Sequence, residues 1–221
     1  PGAVTGVAQR PGVQRRPGPR VRRQVERQRD VGGLGPHRVA GAAGDDDNVH
    51  TTFGMISGNM TTIHAYTGDQ NILDSSHKDL RRARSGGRSI IPTTTGAARA
   101  VGLVLPELDG RLDGSAVRVP TDNVSVVDLH FYAKTACDIT SVNAALRAAS
   151  AGSMKGILDV NELPLVSIDF NHNSHSCVAD LTQTQVQDER FVRIMGWYDN
   201  EWGFANRMLD TAAYMNQLAK G

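Results

Sequence analysis

Met60-Thr-Thr-Ile-His64-Ala-Tyr-Thr67-Gly-Asp69-Gln70 places an imidazole at the end of a short, apolar, β-branched run and follows it at once with hydroxyl and acidic side chains. That is the pattern of a histidine at a strand end facing a polar cleft. A histidine so placed serves a nucleophile as base or ion-pair partner, or else sits in a core with its nitrogens satisfied by neighbours. Between His37 and His64 there is no cysteine, and no serine in a recognisable nucleophile context. The stretch predicts half of a catalytic pair.

Outward from this stretch the composition is that of a soluble globular chain, with 39% hydrophobic and 21% charged residues among 221. No apolar run approaches the length of a bilayer crossing, and no signal or lipidation motif opens the chain. Two cysteines, Cys137 and Cys177, in no paired spacing, argue for a reducing compartment and against a disulfide framework. The net charge of +1 conceals a division: residues 1–38 carry nine arginines against Glu26 and Asp30, a local +7, which leaves −6 for residues 39–221. Rich in proline and glycine and without a helical or strand period, residues 1–48 read as a disordered arm that cannot bury enough surface to offset its chain entropy.

From residue 49 the character changes, and 49–221 reads as one domain. Strands are predicted at 61–65, 115–119, 124–133, 166–170, 177–181 and 191–197. Residues 70–88 read as a long structured loop. Helices are predicted at 97–105, led in by Thr93-Thr-Thr95-Gly96 and stopped by Pro106, and at 140–149, with Thr140 as cap and Gly152 beyond its end. A closing helix at 205–218 is expected to turn Met208, Leu209, Ala212 and Met215 inward. Strands mixed with a few helices, without βα alternation, give an α+β class: a mixed or antiparallel sheet covered by helices. No Gly-x-Gly-x-x-Gly follows a predicted strand, so no dinucleotide fold is written here.

Three places carry chemistry on physical grounds, His64 being the first. At Thr95-Gly96 a hydroxyl and a glycine at a helix start form either a phosphate cradle or an ordinary N-cap. Arg118, in the strand Val117-Arg118-Val119, needs an anion if buried, either a ligand or a structural carboxylate, and Arg81, Arg82 and Arg84 supply further positive charge. The run His172-Asn173-Ser174-His175-Ser176-Cys177 has metal-capable side chains. It lacks the pair spacing of a zinc site, reads better as a solvated turn, and leaves no metal predicted.

Taken in order, Met60–Gln70, Ile90-Ile-Pro-Thr-Thr-Thr95-Gly96-Ala-Ala, Arg118-Val-Pro120-Thr-Asp-Asn123-Val-Ser-Val-Val-Asp128, Lys155-Gly156-Ile157-Leu158 and Trp197-Tyr198-Asp199-Asn200-Glu201-Trp-Gly203 resemble the catalytic domain of phosphorylating glyceraldehyde-3-phosphate dehydrogenase. The resemblance runs from about His50 to Gly221. It implies that His64 activates a nucleophilic thiol and assists proton transfer. Thr67, Arg82 and Arg118 would hold the C3 phosphate of glyceraldehyde 3-phosphate, Thr95 and Gly96 the attacking inorganic phosphate, and Asn200 the nicotinamide carboxamide of NAD. It also implies a homotetramer, with the loop around residues 66–87 at its centre.

The departure from the family is as informative. Its Ser-Cys-Thr-Thr-Asn-Cys motif should fall near Pro36-His37-Arg38, where nothing can act as a thiolate. As written the chain is expected to lack turnover and to hold NAD poorly. Residues 1–48 have the Arg/Gly/Pro/Ala/Val bias that GC-rich DNA gives when read out of frame, which predicts a frameshift just upstream of Val49. The alternative is a genuine basic arm on a non-catalytic domain, binding nucleic acid or an acidic surface weakly and without sequence preference.

Overall fold

Alternation along the longest strand organises the molecule. In β1 (Met55–Ala65), Met60 and Thr62 are buried while Asn59 is exposed and Thr61 half-buried, so one face of the strand is turned to the core. The structure, a computed structural model, describes residues 50–95, 101–102 and 104–220. The expected arm over residues 1–48 therefore lies outside the described residues, as do Gly96 and most of the predicted 97–105 helix, of which 101, 102 and 104 are helical.

The remaining strands are β2 (Ile91–Thr93), β3 (Leu112–Val119), β4 (Ser125–Ala133), β5 (Leu158–Asn161), β6 (Cys177–Asp180), β7 (Gln185–Gln187) and β8 (Phe191–Tyr198). They form one sheet in the order β2-β3-β1-β4-β8-β6-β5, with β7 paired to β8 off this path. β1–β3 and β5–β6 are parallel and the other pairs antiparallel, so the sheet is mixed. Sheet and helices together make the α+β fold expected from the sequence.

One face of the sheet carries Met60, Leu112, Leu129, Phe131, Val192 and Ile194, all buried, and α1 (Ile139–Ala151) contributes Val142, Leu146 and Ala149 to the same core. Gly58 lies where a Cβ would meet the His130 carbonyl oxygen at 2.9 Å and the Phe131 side chain at 3.0 Å, so β1 approaches β4 there only without a side chain. On the opposite face Arg193 grips Asp128 with two hydrogen bonds, of 2.8 and 3.1 Å.

Several local expectations change. β1 extends back to Met55. β2 and β5, the outermost strands of the order, carry no clear alternation, and Pro92 is tolerated because β2 is an edge. Residues 166–170 form a 3₁₀ turn (Ser167–Phe170) rather than a strand: the Asp169 carboxylate accepts the Val166 N–H at 2.8 Å, and the Phe170 ring stacks on Trp197 at 5.4 Å. Asp138, not Thr140, caps α1, accepting the Ser141 N–H at 2.7 Å while Ser141 Oγ accepts the Asp138 N–H at 3.0 Å. The 70–88 segment is a turn-rich loop tied by Asp74, whose carboxylate accepts the Ser85 N–H at 2.7 Å and Arg84 Nε at 3.2 Å.

The closing helix α2 (Trp202–Lys220) departs most. Its buried residues are Gly203 and Arg207, whereas Met208, Leu209 and Met215 are 57%, 70% and 64% exposed and Ala212 is exposed too. The cause is Gly203: a Cβ there would lie 2.9 Å from the His175 carbonyl oxygen, so this face of the helix lies against the 175–176 backbone and turns the apolar stripe away. Truncating the fully buried Leu146 to Ala should cost about 2–5 kcal/mol in urea unfolding. Leu209→Ala should stay within about 0.5 kcal/mol.

Candidate active site

Parallel pairing of β1 with β3 sets Thr62 beside Ala116 and His64 beside Arg118. With the period of two, all four fall on the face that carries the core further down the strands, so the core ends where the polar side chains begin. Here the sheet opens into a cleft of about 330 Å³ lined by these four, by Thr94 and Thr95 after β2, by Ser176, by Tyr198 at the end of β8, and by Asp199, Asn200, Gly203, Phe204 and Arg207.

Arg118 Nη1 lies 2.6 Å from His64 Nδ1 and donates to the Ala65 carbonyl oxygen at 3.0 Å; the same carbonyl is 2.7 Å from Nδ1. A guanidinium has no acceptor, so when Arg118 donates to Nδ1 the proton of the neutral ring sits on Nε2. When Nδ1–H donates to the Ala65 carbonyl instead, the Nε2 lone pair is free. The ring thus has a partner for either tautomer and can give or take a proton at Nε2. Burial pushes the His64 pKa below its usual 6.5; the Ala65 carbonyl, which accepts from the protonated ring, opposes this, and the Arg118 charge adds to it.

Arg118 forms no ion pair with a carboxylate among the described residues, and burial lowers its own pKa. Tyr198 stands edge-on to His64, ring centroids 6.0 Å apart, and its phenol is pushed up to about 12 by burial, so it stays protonated. Ser125 Oγ accepts the Ala65 N–H at 3.1 Å and donates to Asn200 Oδ1 at 3.2 Å, joining the histidine strand to the residue ahead of α2.

Asp199 holds that junction. One carboxylate oxygen accepts the N–H groups of Glu201 and Trp202 at 3.1 and 2.8 Å; the other accepts from Asn123 Nδ2 at 2.8 Å and the His172 N–H at 2.9 Å. Desolvation alone would raise its pKa, but these four hydrogen bonds hold it below the usual 3.8. Tyr198 and Asp199 stand in the 197–203 stretch that carries the resemblance but receive no role from sequence alone, although Asp199 two and three residues before free helical amides is a capping signal. It was hidden by a helix start placed at residue 205.

His64, Arg118, Thr95 and Asn200 are thus brought to one cleft. Thr67 and Arg82 are not among its lining residues. Thr67 donates its N–H to Gln70 Oε1 at 3.2 Å; Arg82 pairs with Asp69, lies 3.6 Å from Asp79 and donates to Thr93 Oγ1 at 2.8 Å, next to the cleft residue Thr94. The 172–177 run disperses: His172 packs on Trp202 at 4.9 Å, His175 Nδ1 contacts Asn173 Oδ1 at 2.9 Å, and Cys177 is buried in β6. Among the described residues no group of three or more His, Cys, Asp or Glu could hold a metal ion.

Residues 47–200 match the family model described as glyceraldehyde 3-phosphate dehydrogenase, C-terminal domain. The chain belongs to this family. It is 59% identical over 170 residues to glyceraldehyde-3-phosphate dehydrogenase of Cereibacter sphaeroides, covering 77% of this chain and 51% of that one. To the Geobacillus stearothermophilus enzyme it is 55% identical over 167 residues, 76% of this chain and 50% of the other. To the chloroplastic A form of Chlamydomonas reinhardtii it is 53% identical over 160 residues, 72% and 43%. The chain spans about half the length of the curated glyceraldehyde-3-phosphate dehydrogenases it matches.

Two outcomes test this geometry. In a proton NMR titration the His64 ring should change charge below pH 6.5, and Arg118→Met should move it upward. Because the unfolded ring takes its proton more readily than the folded one, His64 should also reduce stability as pH falls below 6.5. Asp199→Asn, which cannot accept at Nδ2, should cost about 2–3 kcal/mol at pH 7. That difference should shrink only as pH falls below 3.8, where the wild-type carboxyl takes up its proton.

Proposed function

We propose that residues 49–221 are the catalytic half of a cytoplasmic, NAD-dependent phosphorylating glyceraldehyde-3-phosphate dehydrogenase. The observation that carries this is one cleft holding an imidazole against a guanidinium with no carboxylate partner among the described residues, flanked by hydroxyls and an amide. Arg118, with part of its fork committed to His64 and Ala65, keeps donors for a phosphate of the substrate. Thr94 and Thr95 offer hydroxyls to a second phosphate. His64 Nε2 stabilises a thiolate as imidazolium and exchanges a proton with the substrate oxygen as the aldehyde is attacked and oxidised. Arg82, now held by Asp69 and Asp79, joins the substrate phosphate only by exchanging those carboxylates for it.

NAD fits this chain at one point. Asn200 lines the cleft with Oδ1 engaged by Ser125, so its Nδ2 is the group that donates to a carboxamide. When bound, the dinucleotide supplies the hydride acceptor.

The thiol this chemistry requires has no counterpart at Pro36-His37-Arg38. Without it no thiohemiacetal forms, and the 221-residue chain binds anions without turning over. We attribute residues 1–48 to a frameshift upstream of Val49. DNA sequence across codons 1–60, translated in all frames, should yield Ser-Cys-Thr-Thr-Asn upstream of His64; no frame doing so would refute this. The cleft itself is tested by phosphorus NMR titration with inorganic phosphate, in which Arg118→Gln should weaken binding about tenfold or more. Unchanged binding would rule out Arg118 as the anion ligand. A second reading follows from the nine arginines of residues 1–38, a basic arm that binds nucleic acid. Under it, binding is steeply salt-dependent and disappears when residues 1–48 are removed.

A further inference from the structure

Ser125 is buried and stands directly opposite Tyr198 in the pairing of β4 with β8. The residue before it, Val124, is also buried and is left-handed, with φ 64°, a conformation that a β-branched residue rarely adopts. Such strain persists only where the surroundings over-determine it, and here they do so on both sides. Continued past Ile63↔Val126, the antiparallel register of β1 with β4 would set Val124 opposite Ala65. The turn at Val124 ends that ladder instead, and Ser125 Oγ takes the Ala65 N–H, at 3.1 Å, in place of a backbone carbonyl. Across the same turn Asn123 Nδ2 donates to Asp199 at 2.8 Å, while Ser125 donates to Asn200 at 3.2 Å. The two neighbours of the strained residue thus hold two consecutive residues of the cleft.

A serine hydroxyl has one proton to give and two lone pairs to fill. At Ser125 the Ala65 N–H fills one lone pair, and Tyr198, whose phenol stays protonated, hydrogen-bonds the same oxygen. With the phenol donating, both lone pairs are taken and the Ser125 proton is left for Asn200 Oδ1. A reversed Asn200 amide would press its NH2 group against a hydroxyl that can no longer accept. We propose that Tyr198 and Ser125 are positioning residues, a one-way chain of donors that locks the Asn200 amide with Nδ2 toward the cleft, so that this wall receives a carbonyl oxygen and refuses an N–H. The left-handed turn at Val124 aims Ser125 for the task. Use of the Asn200 donor on a nicotinamide carboxamide rests on the function proposed above; its orientation does not.

Nitrogen-15 NMR of the full 221-residue chain tests this, the Asn200 side-chain amide being assigned by its loss in Asn200→Asp. In the wild type one pair of amide signals is expected, without strong Overhauser contacts to the Ser125 β protons, which an NH2 group turned toward Oγ would give. Ser125→Ala should add a second pair of signals that contact the new methyl group. Tyr198→Phe, which leaves the Ser125–Ala65 bond in place, should add the second pair without unfolding the chain, and Ser125→Thr, which keeps a hydroxyl, should show one pair again. A merely structural role predicts lower stability in Ser125→Ala with a single Asn200 orientation throughout. That result, or strong Ser125 contacts in the wild type, would overturn the proposal. Addition of NAD separates the two readings. A kept orientation with no Asn200 signal moved by NAD supports the donor chain and refutes the carboxamide role, whereas a lost orientation refutes the donor chain whatever NAD does.

Discussion

The parallel, in-register pairing of β1 with β3 is the constraint on which the site depends. It fixes His64 and Arg118 as neighbours on one face, separated by a strand spacing, through a ladder running from Gly58↔Leu112 to Ala65↔Val119. A slip of one residue would turn Arg118 to the opposite face and put Val117 or Val119 beside the imidazole. The ladder is held at its other end by the core, where Met60, Leu112 and Leu129 leave no freedom to shift. Packing energy far from the cleft therefore sets the chemistry within it.

A second network joins this strand pair to the end of the chain. Ser125 links Ala65 to Asn200, and Asp199 gathers four donors from three separate segments around the start of α2. A buried carboxylate is costly unless its acceptor sites are filled, and here they are. The same four bonds that make the charge tolerable fix the position of Asn200, so stabilising the fold and orienting the cleft are one act. His64, by contrast, retains a choice of partner at Nδ1. Rigidity around it and freedom at one proton are what acid–base chemistry asks of such a residue.

The exposed stripe of α2 follows from the geometry of its first turn. Gly203 meets the 175–176 backbone so closely that the helix can present only one face to the sheet, and that face carries Arg207. An amphipathic period says that a helix has two faces; it cannot say which one the remainder of the chain will cover. The expectation that Met208 and Met215 pack inward failed for this reason.

Much was legible without coordinates. Alternation at Val127, Leu129, Phe131 and Ala133 revealed a half-buried strand, and an imidazole ending a β-branched run marked His64, because side-chain period and local chemistry are properties of neighbouring residues. The order of motifs was enough to recognise the family, and the want of a thiol at Pro36-His37-Arg38 is a fact of sequence alone. Only the tertiary structure decided that Arg118 meets an imidazole rather than a carboxylate, that Asp199 and Ser125 organise the cleft, and that Arg82 is held by Asp69 and Asp79. Those outcomes join residues up to 76 positions apart, as in Asn123 to Asp199. They depend on strand order and register, which hydrophobic periodicity within a single segment does not encode.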